Sequence, residues 1–276
     1  TISMISRQDV MLNTTIYKDN DFIINRVKNY HAVLLVTKRC EMTLFDDNGS
    51  ICIPSHTIAL LEKGMLFNLK LIINGEGGSY DTFLIEDKII AKVLKVFETT
   101  CATDKRTFPV LTRKIENRVF VIDTCELEDS YFYKIIESKE DETLLVFKLA
   151  YLLSKMSNRE DLLFSLSVSA SRSFSDKVRE IVENKLEKKW KISDIAEAFH
   201  CSEITVRKKL EKEMMTFNQI MLDIRMNHAS KLILSTDCNV NSVSSAIGIA
   251  STSYFIKLFK CYYGVTPKQY YLTLKR

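Results

Sequence analysis

The stretch ISDIAEAFHCSEITVRKKLEK, residues 192–212, decides the fold of the C-terminal part of this chain. Four apolar residues recur at the i, i+3, i+4 and i+7 spacing of one helix face: Ile192, Ile195, Ala196 and Phe199. A break follows at His200, and Ser202 offers a side-chain oxygen that caps a second helix. The stretch therefore predicts two short helices joined by a tight turn.

The second of these helices presents a polar face. Val206 and Leu210 lie on its inner side, and a rotation of 100° per residue puts four residues on the outer side: Ile204, Arg207, Lys208 and Glu211. A helix-turn-helix motif places such a recognition helix in the major groove of DNA. We therefore expect this helix to read DNA.

The same pattern occurs a second time. Seven residues repeat the first motif at an offset of 48 before the turn and 49 after it: Val240, Val243, Ser244, Ile247, Ser251, Phe255 and Phe259. The turn of the second motif is thus one residue longer. Its outer face, by the same rotation, consists of Ser253, Ile256, Lys257 and Lys260.

A long helix is predicted between the two motifs. Thr216 and Gln219 form a capping-box pattern that begins a helix reaching to about Leu234. Nineteen residues at 1.5 Å per residue span roughly 28 Å, close to the roughly 34 Å between successive major grooves on one side of DNA. One chain can therefore put both recognition helices into neighbouring grooves. A short terminal helix is predicted from Pro267.

Composition supports two domains of unequal charge. The chain has 276 residues and a net charge of +4. Residues 172–276 contain 18 Lys and Arg against 11 Asp and Glu, a net charge of +7, whereas residues 1–171 contain 21 against 24, a net charge of −3. A basic C-terminal part suits a polyanionic partner.

The same composition predicts a cytoplasmic protein. No apolar run approaches the roughly 18 residues of a membrane span, and no signal peptide pattern opens the chain. The seven cysteines are scattered without a CxxC pair, which indicates thiols in a reducing cell rather than a metal site or a disulfide framework.

The N-terminal half predicts an antiparallel β-sandwich or a small barrel. Short apolar segments separated by Gly, Asn and Pro turns are typical strands: residues 31–37, 41–45, 57–61 and 67–73. Helices are predicted at 87–98 and 141–156. The second is apolar over more than one stripe, so it needs cover on two sides, either by its own sheet and a second copy of the chain or by complete burial within one chain.

Both motifs resemble those of a known family. The run GIASTSYFIKLFKCYYGVTPKQY, residues 248–270, and the I-x-x-I-A pattern of 192–196 resemble the paired helix-turn-helix domain of AraC/XylS-type transcription regulators. Within that family, FSDKVR at 174–179 and SEITVRKKL at 202–210 are similar to the enteric virulence activators of the Rns/ToxT group. Three residues depart from the usual pattern: Ile249, Tyr271 and Ser244.

The resemblance implies an α+β protein with a defined domain order. Residues 1–160 would form an effector-binding and dimerisation domain, which consists of a cupin-like antiparallel β-sandwich and dimerisation helices. Residues 161–173 would be a linker. Residues 174–276 would form the all-α DNA-binding domain, with two helix-turn-helix motifs joined by a long helix. No cofactor and no enzymatic activity are expected.

The implied function is sequence-specific binding of double-stranded promoter DNA by an activator of bacterial virulence genes. RNA polymerase is an implied partner, and a homodimer through the 141–156 helix is another. The implied effector is a small anion: a carboxylate, a fatty acid or bicarbonate. The alternative is a ligand-independent regulator controlled by a protein partner.

The predicted DNA contacts lie in both recognition helices. The resemblance implies that bases are read by Ile204, Arg207, Lys208, Thr252, Ser253 and Lys257. As residue types, the lysines Lys208, Lys257 and Lys260 are more often phosphate contacts, which is the other interpretation of Lys208 and Lys257. The fork of Arg207 matches guanine O6 and N7, although a phosphate contact alone is the other interpretation. An exposed Ile204 would pack on a thymine methyl group; a partly buried position at the helix start is the alternative.

Effector binding is predicted at the ends of one strand. His31 opens the strand and Lys38 and Arg39 end it, and these cations could bind an anion. A surface or core histidine is the other interpretation of His31. Only His31 and His56 are available in this half for a cupin metal site, which disfavours a metal-dependent enzyme attached to DNA.

Overall fold

The protein divides into two compact units, Thr1–Ser171 and Arg172–Arg276, called here the N-terminal and the C-terminal unit. The computed structural model describes residues 15–17, 21–74, 80–100, 113–123, 130–235 and 239–274. The strands lie in the N-terminal unit and the C-terminal unit is helical. The predicted α+β fold is thus confirmed.

The N-terminal unit is built on two antiparallel sheets. One sheet has the strand order β1-β2-β7-β4-β5 and the other has the order β8-β3-β6-β9. The strands are β1 (Thr15–Tyr17), β2 (Asp21–Lys28), β3 (Ala32–Thr37), β4 (Cys40–Asp46), β5 (Gly49–Ile53), β6 (Thr57–Leu61), β7 (Leu66–Ile73), β8 (Tyr80–Ile85) and β9 (Val119–Asp123).

Strand β3 lies at the centre of the unit, and every residue in it is buried. Leu34 pairs with Leu60 of β6 and with Phe83 of β8, and all three belong to the core formed with the helices. Val33 and Leu35 line a cavity together with residues of β4 and β7, which belong to the other sheet. A strand covered on both faces reads as a continuous apolar run, as AVLLV does.

Four helices cover the face of the β8-β3-β6-β9 sheet that is turned away from the other sheet. They are α1 (Asp87–Thr100), α2 (Ser130–Glu137), α3 (Glu142–Ser154) and α4 (Arg159–Ala170), and a 3-10 turn occupies Ile115–Asn117. The predicted helices at 87–98 and 141–156 correspond to α1 and α3. Strand β9, which was not predicted, pairs with β6.

The predicted linker at 161–173 is wrong, because most of it belongs to helix α4. It is a regular helix up to Ala170, and Leu162 and Leu166 are buried in the core. Ser165 and Ser169 are also buried. Because these serines share one helix face with Leu162 and Leu166, the sequence shows no clean apolar period, and its Ser-rich composition indicated an interdomain connection.

The buried serines of α4 face a cluster of charged side chains. The Glu62 carboxylate is fully buried, and it accepts hydrogen bonds from Arg113 Nη1 at 2.5 Å and Arg118 Nε at 2.8 Å. Ser165 Oγ donates to Glu62 Oε2 at 2.5 Å and accepts from Arg113 Nη2 at 2.9 Å. Two cations and a hydroxyl thus compensate the buried carboxylate, which without partners would cost several kcal/mol.

A second ion pair fastens the end of α4. Lys63 Nζ donates to Asp87 Oδ2 at 2.6 Å and to the Ser171 carbonyl at 2.9 Å, and the Lys63 amide donates to Ser169 Oγ at 3.0 Å. The last residues of the N-terminal unit are therefore bound to the rim of the sandwich.

The C-terminal unit contains seven helices in its described residues. They are α5 (Phe174–Glu183), α6 (Ile192–Ala198), α7 (Glu203–Lys212), α8 (Phe217–Ser235), α9 (Val240–Ala246), α10 (Thr252–Tyr263) and α11 (Pro267–Leu274). One apolar core gathers α5, α6, α7 and the first half of α8; the other gathers the second half of α8 with α9, α10 and α11. The two predicted helix-turn-helix motifs and the long joining helix are confirmed.

The two turns have equivalent left-handed residues. His200 has φ 49° between α6 and α7, and Gly248 has φ 74° between α9 and α10. A Cβ atom on Gly248 would lie 3.1 Å from the Leu186 carbonyl oxygen. Glycine therefore suits the second turn for two reasons, whereas His200 adopts a conformation that most L-residues avoid.

We expect opposite effects from substitutions in the two turns. Gly248→Ala should lower the free energy of unfolding by about 1–3 kcal/mol through left-handed strain and crowding. His200→Gly should raise it by about 0.5 kcal/mol, because relief of strain slightly exceeds the added entropy of the unfolded chain. Urea unfolding followed by the fluorescence of Trp190, the single tryptophan, reports on the C-terminal unit. Equal destabilisation by both variants would contradict the assigned backbone roles.

Candidate nucleic-acid interface

Helix α7 buries one side and exposes the other. Val206 and Leu210 are buried in the first core of the C-terminal unit. Ile204 is 66% exposed, and Arg207 and Lys208 are exposed as well. The exposure of Ile204 disagrees with the alternative of a partly buried residue at the helix start. The outer side of α7 thus offers one apolar and two cationic side chains.

Arg207 is only weakly held. Its Nη2 lies 3.9 Å from Glu203 Oε2, one turn earlier, and both side chains are about half exposed or more. An exposed pair of this kind contributes about 0.3–0.5 kcal/mol, so the guanidinium can exchange Glu203 for another acceptor at small cost.

The orientation of α7 is fixed at both ends. Ser202 Oγ accepts a hydrogen bond from the Thr205 amide at 3.2 Å and so caps the start of the helix. Just after its end, the Glu213 carboxylate accepts from the Phe174 and Ser175 amides of α5 at 2.6 and 3.0 Å. A carboxylate at a helix N-terminus also interacts favourably with the helix dipole.

Helix α10 has the same division of faces. Phe255 and Phe259 are fully buried, whereas Ser253, Lys257 and Lys260 are exposed. Two other residues differ from these. Thr252 is half-buried, and its hydroxyl lies 3.2 Å from that of Ser244. Ile256, which the rotation put on the outer face, is also half-buried.

Helix α8 connects the two motifs. It has 19 residues, so it is about 28 Å long. Asp223 is buried and its Oδ1 accepts hydrogen bonds from Tyr262 of α10 at 2.7 Å and from Gln219 Nε2 at 2.6 Å. This shared acceptor holds α10 against the joining helix.

One exposed residue of α10 was not predicted from the sequence. Tyr254 lies in the first turn of this helix and is 58% exposed. It stands three residues before Lys257, so the two side chains are neighbours on the helix surface. A rotation of 100° per residue puts Tyr254 next to the outer face, so the helical periodicity could have identified it.

The three effector candidates do not form one site. His31 precedes β3, while Lys38 and Arg39 follow it. Six residues at about 3.3 Å each separate the two ends by roughly 20 Å, so a single small anion cannot contact all three side chains.

Acidic residues occupy both ends of β3. Lys38 Nζ lies 2.6 Å from Asp81 Oδ2, and His31 Nδ1 lies 3.7 Å from Asp87 Oδ1. Burial opposes the charge of Lys38, but hydrogen bonds to Asp81 and Tyr133 outweigh it and raise the Lys38 pKa. For Asp87, burial is likewise outweighed, because His31 and Lys63 lower the pKa of its carboxyl group.

The cavity between the sheets is small and mostly apolar. Its volume is about 20 Å³, and it is lined by Val33, Leu35, Met42, Leu44, Leu61, Phe67, Leu69, Tyr80 and Thr82. A single water molecule needs at least about 10–15 Å³ measured in this way. The cavity therefore has no room for a fatty acid chain in this conformation.

In the part of the chain that the structure describes, no three or more His, Cys, Asp or Glu residues are grouped as metal ligands. No helix there has the length and hydropathy to span a bilayer.

Sequence comparisons find transcription regulators. A family model described as a helix-turn-helix domain matches residues 195–272. The transcriptional activator FapR of Escherichia coli is 35% identical, over 91% of this chain and 96% of its own. The virulence regulon transcriptional activator VirF of Shigella flexneri is 36% identical, over 91% and 95%. The DNA-binding dual transcriptional regulator Rns of E. coli is 31% identical, over 91% and 94%.

Solved structures show a similar fold over the whole chain. Apo ToxT K231A of Vibrio cholerae has a TM-score of 0.64 at 20% identity, covering 96% of this chain and 97% of its own. Wild-type ToxT with a bound unsaturated fatty acid has a TM-score of 0.62 at 18% identity, covering 95% and 94%. At this identity the likeness concerns the fold.

Proposed function

This chain belongs to the AraC/XylS family of transcription regulators, and we propose that it is an activator of bacterial virulence genes that binds promoter DNA sequence-specifically. One observation carries the proposal. The capped helices α7 and α10 both have cationic outer faces, and a single helix, α8, joins their two motifs. The proposed place of action is the bacterial cytoplasm, on promoters where RNA polymerase is the partner. The relatives are regulators, and no enzymatic step is proposed.

The first motif supplies most of the base discrimination in this proposal. Arg207 is bound only loosely to Glu203, and its fork can donate two hydrogen bonds to guanine. Ile204 is exposed at the start of the same helix, where it can pack on a thymine methyl group. Lys208 lies on the same face of α7, where its ammonium group would contact a phosphate.

The second motif supplies more of the anchoring. Lys257 and Lys260 are exposed on α10, and a lysine ammonium binds phosphate as a point charge rather than as a fork. Ser253 is a small donor and acceptor on the same face. Thr252 at the helix start has a smaller role in this proposal, because its hydroxyl is within hydrogen-bond distance of the Ser244 hydroxyl.

Arg207→Ala and Lys260→Ala should have different effects on DNA binding. Arg207→Ala should weaken binding to the preferred site by about 1–3 kcal/mol and relax the preference at one base pair, because a bidentate base contact is lost. Lys260→Ala should weaken all sequences similarly and reduce the salt slope by about one. Fluorescence anisotropy measures both effects, with a duplex selected by the chain from a random library and an unrelated duplex of equal length.

The matched control is Lys88→Ala, which removes an exposed cation from α1 of the N-terminal unit. It should change neither the affinity nor the salt slope. If Arg207→Ala and Lys260→Ala weakened both duplexes equally, the assigned roles would be wrong. If the wild-type chain did not distinguish the two duplexes, sequence-specific binding itself would be refuted.

We further propose that a small anion modulates this activity: a carboxylate, a fatty acid or bicarbonate. Of the two ends of β3, we favour the Lys38 and Arg39 end for this anion, because two cationic side chains follow the strand in succession there. His31 has the Asp87 carboxylate beside it, which disfavours an anion there.

Titration of the DNA complex with decanoate, acetate and bicarbonate tests this proposal. At least one of these should change the DNA affinity of the wild-type chain severalfold, and Lys38→Gln with Arg39→Gln should abolish the change. His31→Gln should retain it. No response to any of the three would favour a ligand-independent regulator controlled by a protein partner.

A homodimer through α3 completes the proposal. Three large apolar side chains of this helix are exposed at i, i+3 and i+7: Leu144, Phe147 and Tyr151, with Phe147 at 61%. Two antiparallel copies of α3 would bring the two Phe147 rings together at the centre. Lys155 of each copy would then meet Glu140 of the other, which pairs opposite charges across an isologous contact.

Phe147→Glu should therefore convert a dimer into a monomer. The matched control is Leu66→Glu, which puts the same charge on another exposed apolar position, 48% exposed, outside α3. Sedimentation velocity at micromolar concentration should show twice the chain mass for the wild type and for Leu66→Glu, and the chain mass for Phe147→Glu. A wild-type monomer would refute the dimer, and a dimeric Phe147→Glu variant would refute the α3 contact.

A further inference from the structure

The turn of the second motif lies against a segment of the first. Residues 184–190 connect α5 to α6 and are called here the α5–α6 turn. A Cβ atom on Gly248 would lie 3.1 Å from the Leu186 carbonyl oxygen and 3.3 Å from the Glu187 carbonyl oxygen. The two backbones therefore approach each other too closely for a side chain to fit between them without displacement.

A left-handed backbone does not by itself require glycine in this unit. His200 has the equivalent position in the first turn, where it carries an exposed side chain at a φ of 49°. Met214, just after α7, is also left-handed, with a φ of 54°. The close approach to the α5–α6 turn therefore distinguishes Gly248, and glycine is the residue that permits such an approach.

The α5–α6 turn is fixed to the first motif. Leu186 is buried in the first core of the C-terminal unit. Trp190 Nε1 donates a hydrogen bond to the Lys185 carbonyl at 2.8 Å. Lys188 Nζ lies 3.0 Å from Asp194 Oδ1 of α6 and 4.2 Å from the centre of the Trp190 ring. The turn and the first motif therefore move together.

Gly248 is fixed to the second motif in a similar way. Its neighbours Ile247 and Ile249 are buried in the second core together with Phe259 of α10. The Ile249 amide also donates to the Ser244 carbonyl of α9 at 2.8 Å. The contact between Gly248 and the α5–α6 turn therefore joins one motif directly to the other, without passing through α8.

We propose that Gly248 is a positioning residue for DNA recognition, because its contact with the α5–α6 turn sets the angle between the two motifs about the axis of α8. The inference rests on the proposed DNA-binding function, with α7 and α10 in neighbouring major grooves of one duplex. Helix α8 fixes how far apart the motifs lie. A second contact that does not involve this helix restrains the rotation of one motif relative to the other.

This angle determines which operator spacing the chain accepts. One base pair added between two half-sites moves the second by about 3.4 Å and turns it by about 35° around the duplex. Motifs held at one angle engage both half-sites at one spacing and lose the second set of contacts at another. A methyl group on Gly248 would displace the facing carbonyls by a few tenths of an ångström, which alters the angle or leaves it less defined.

Gly248→Ala and Trp190→Phe test this role. A hydroxyl-radical footprint on the library-selected duplex locates its two half-sites, and two altered duplexes have one base pair more or one fewer between them. The wild-type chain should bind both altered duplexes at least about tenfold more weakly. Gly248→Ala should lower this affinity ratio severalfold for at least one altered duplex. Trp190→Phe keeps an aromatic ring but removes the donor to the Lys185 carbonyl, so it should lower the ratio as well.

Gly264→Ala is the matched control, since Gly264 is left-handed, with a φ of 78°, at the opposite end of α10. It strains the same helix and should leave the spacing ratio unchanged. Arg207→Ala should also leave the ratio unchanged, although it relaxes the preference at one base pair. All affinities are measured at a temperature at which circular dichroism shows that each variant is folded.

A lowered ratio in either folded variant, with Gly264→Ala unchanged, supports the role of Gly248. Unchanged ratios in Gly248→Ala and Trp190→Phe would overturn it and leave the proposed DNA-binding function intact. If Gly248→Ala does not fold, Trp190→Phe decides alone. An equal change in Gly264→Ala would assign the effect to strain and also overturn the role.

The wild-type chain provides two further outcomes. Equal affinity for all three spacings would show that the two motifs do not engage one duplex together, which overturns the role of Gly248. A chain that does not distinguish the selected duplex from an unrelated one would refute the proposed function together with this inference.

Discussion

The buried Glu62 carboxylate is the constraint on which the N-terminal unit depends. It has no access to water, and its partners come from the segment at 113–118 and from Ser165 of α4. Because a buried carboxylate without partners costs several kcal/mol, these separate parts of the chain must come together for the unit to be stable. The ion pair of Lys63 with Asp87 adds a second tie, which reaches the Ser171 carbonyl. The end of the N-terminal unit is thereby held by charge as well as by apolar packing.

The C-terminal unit depends on a different arrangement, two small cores on one helix. The first core buries Val206 and Leu210 of α7, and the second buries Phe255, Phe259, Tyr262 and Tyr263 of α10. The second core contains more aromatic side chains, and Ile249, a departure from the family pattern, is buried in it. Asp223 joins α8 to α10 by a polar contact. The spacing between the recognition helices is therefore set mainly by one continuous helix.

Charge is distributed differently in the two units. In the N-terminal unit, Lys38 and Lys63 are neutralised by aspartates, which leaves little free positive charge at those positions. In the C-terminal unit, Lys208, Lys257 and Lys260 are exposed on recognition helices, and no carboxylate among the described residues lies within ion-pair distance of them. The net charge of +7 in residues 172–276 is thus concentrated in part on surfaces that suit a polyanion.

The sequence by itself determined the two helix-turn-helix motifs, the joining helix and the outer faces of α7 and α10, because helical periodicity and capping act over a few residues. It also indicated the sandwich, but it did not predict β9, α2, α4 or the exposure of Tyr254. Only the tertiary structure decided that Glu62 meets Arg113, 51 residues away, and that His31 and Lys38 lie at opposite ends of β3. Serines replace apolar residues on the buried side of α4, because their partners, Glu62, Arg113 and the Lys63 amide, come from distant parts of the chain. Such pairings depend on how the chain folds back on itself, and local sequence carries no record of them.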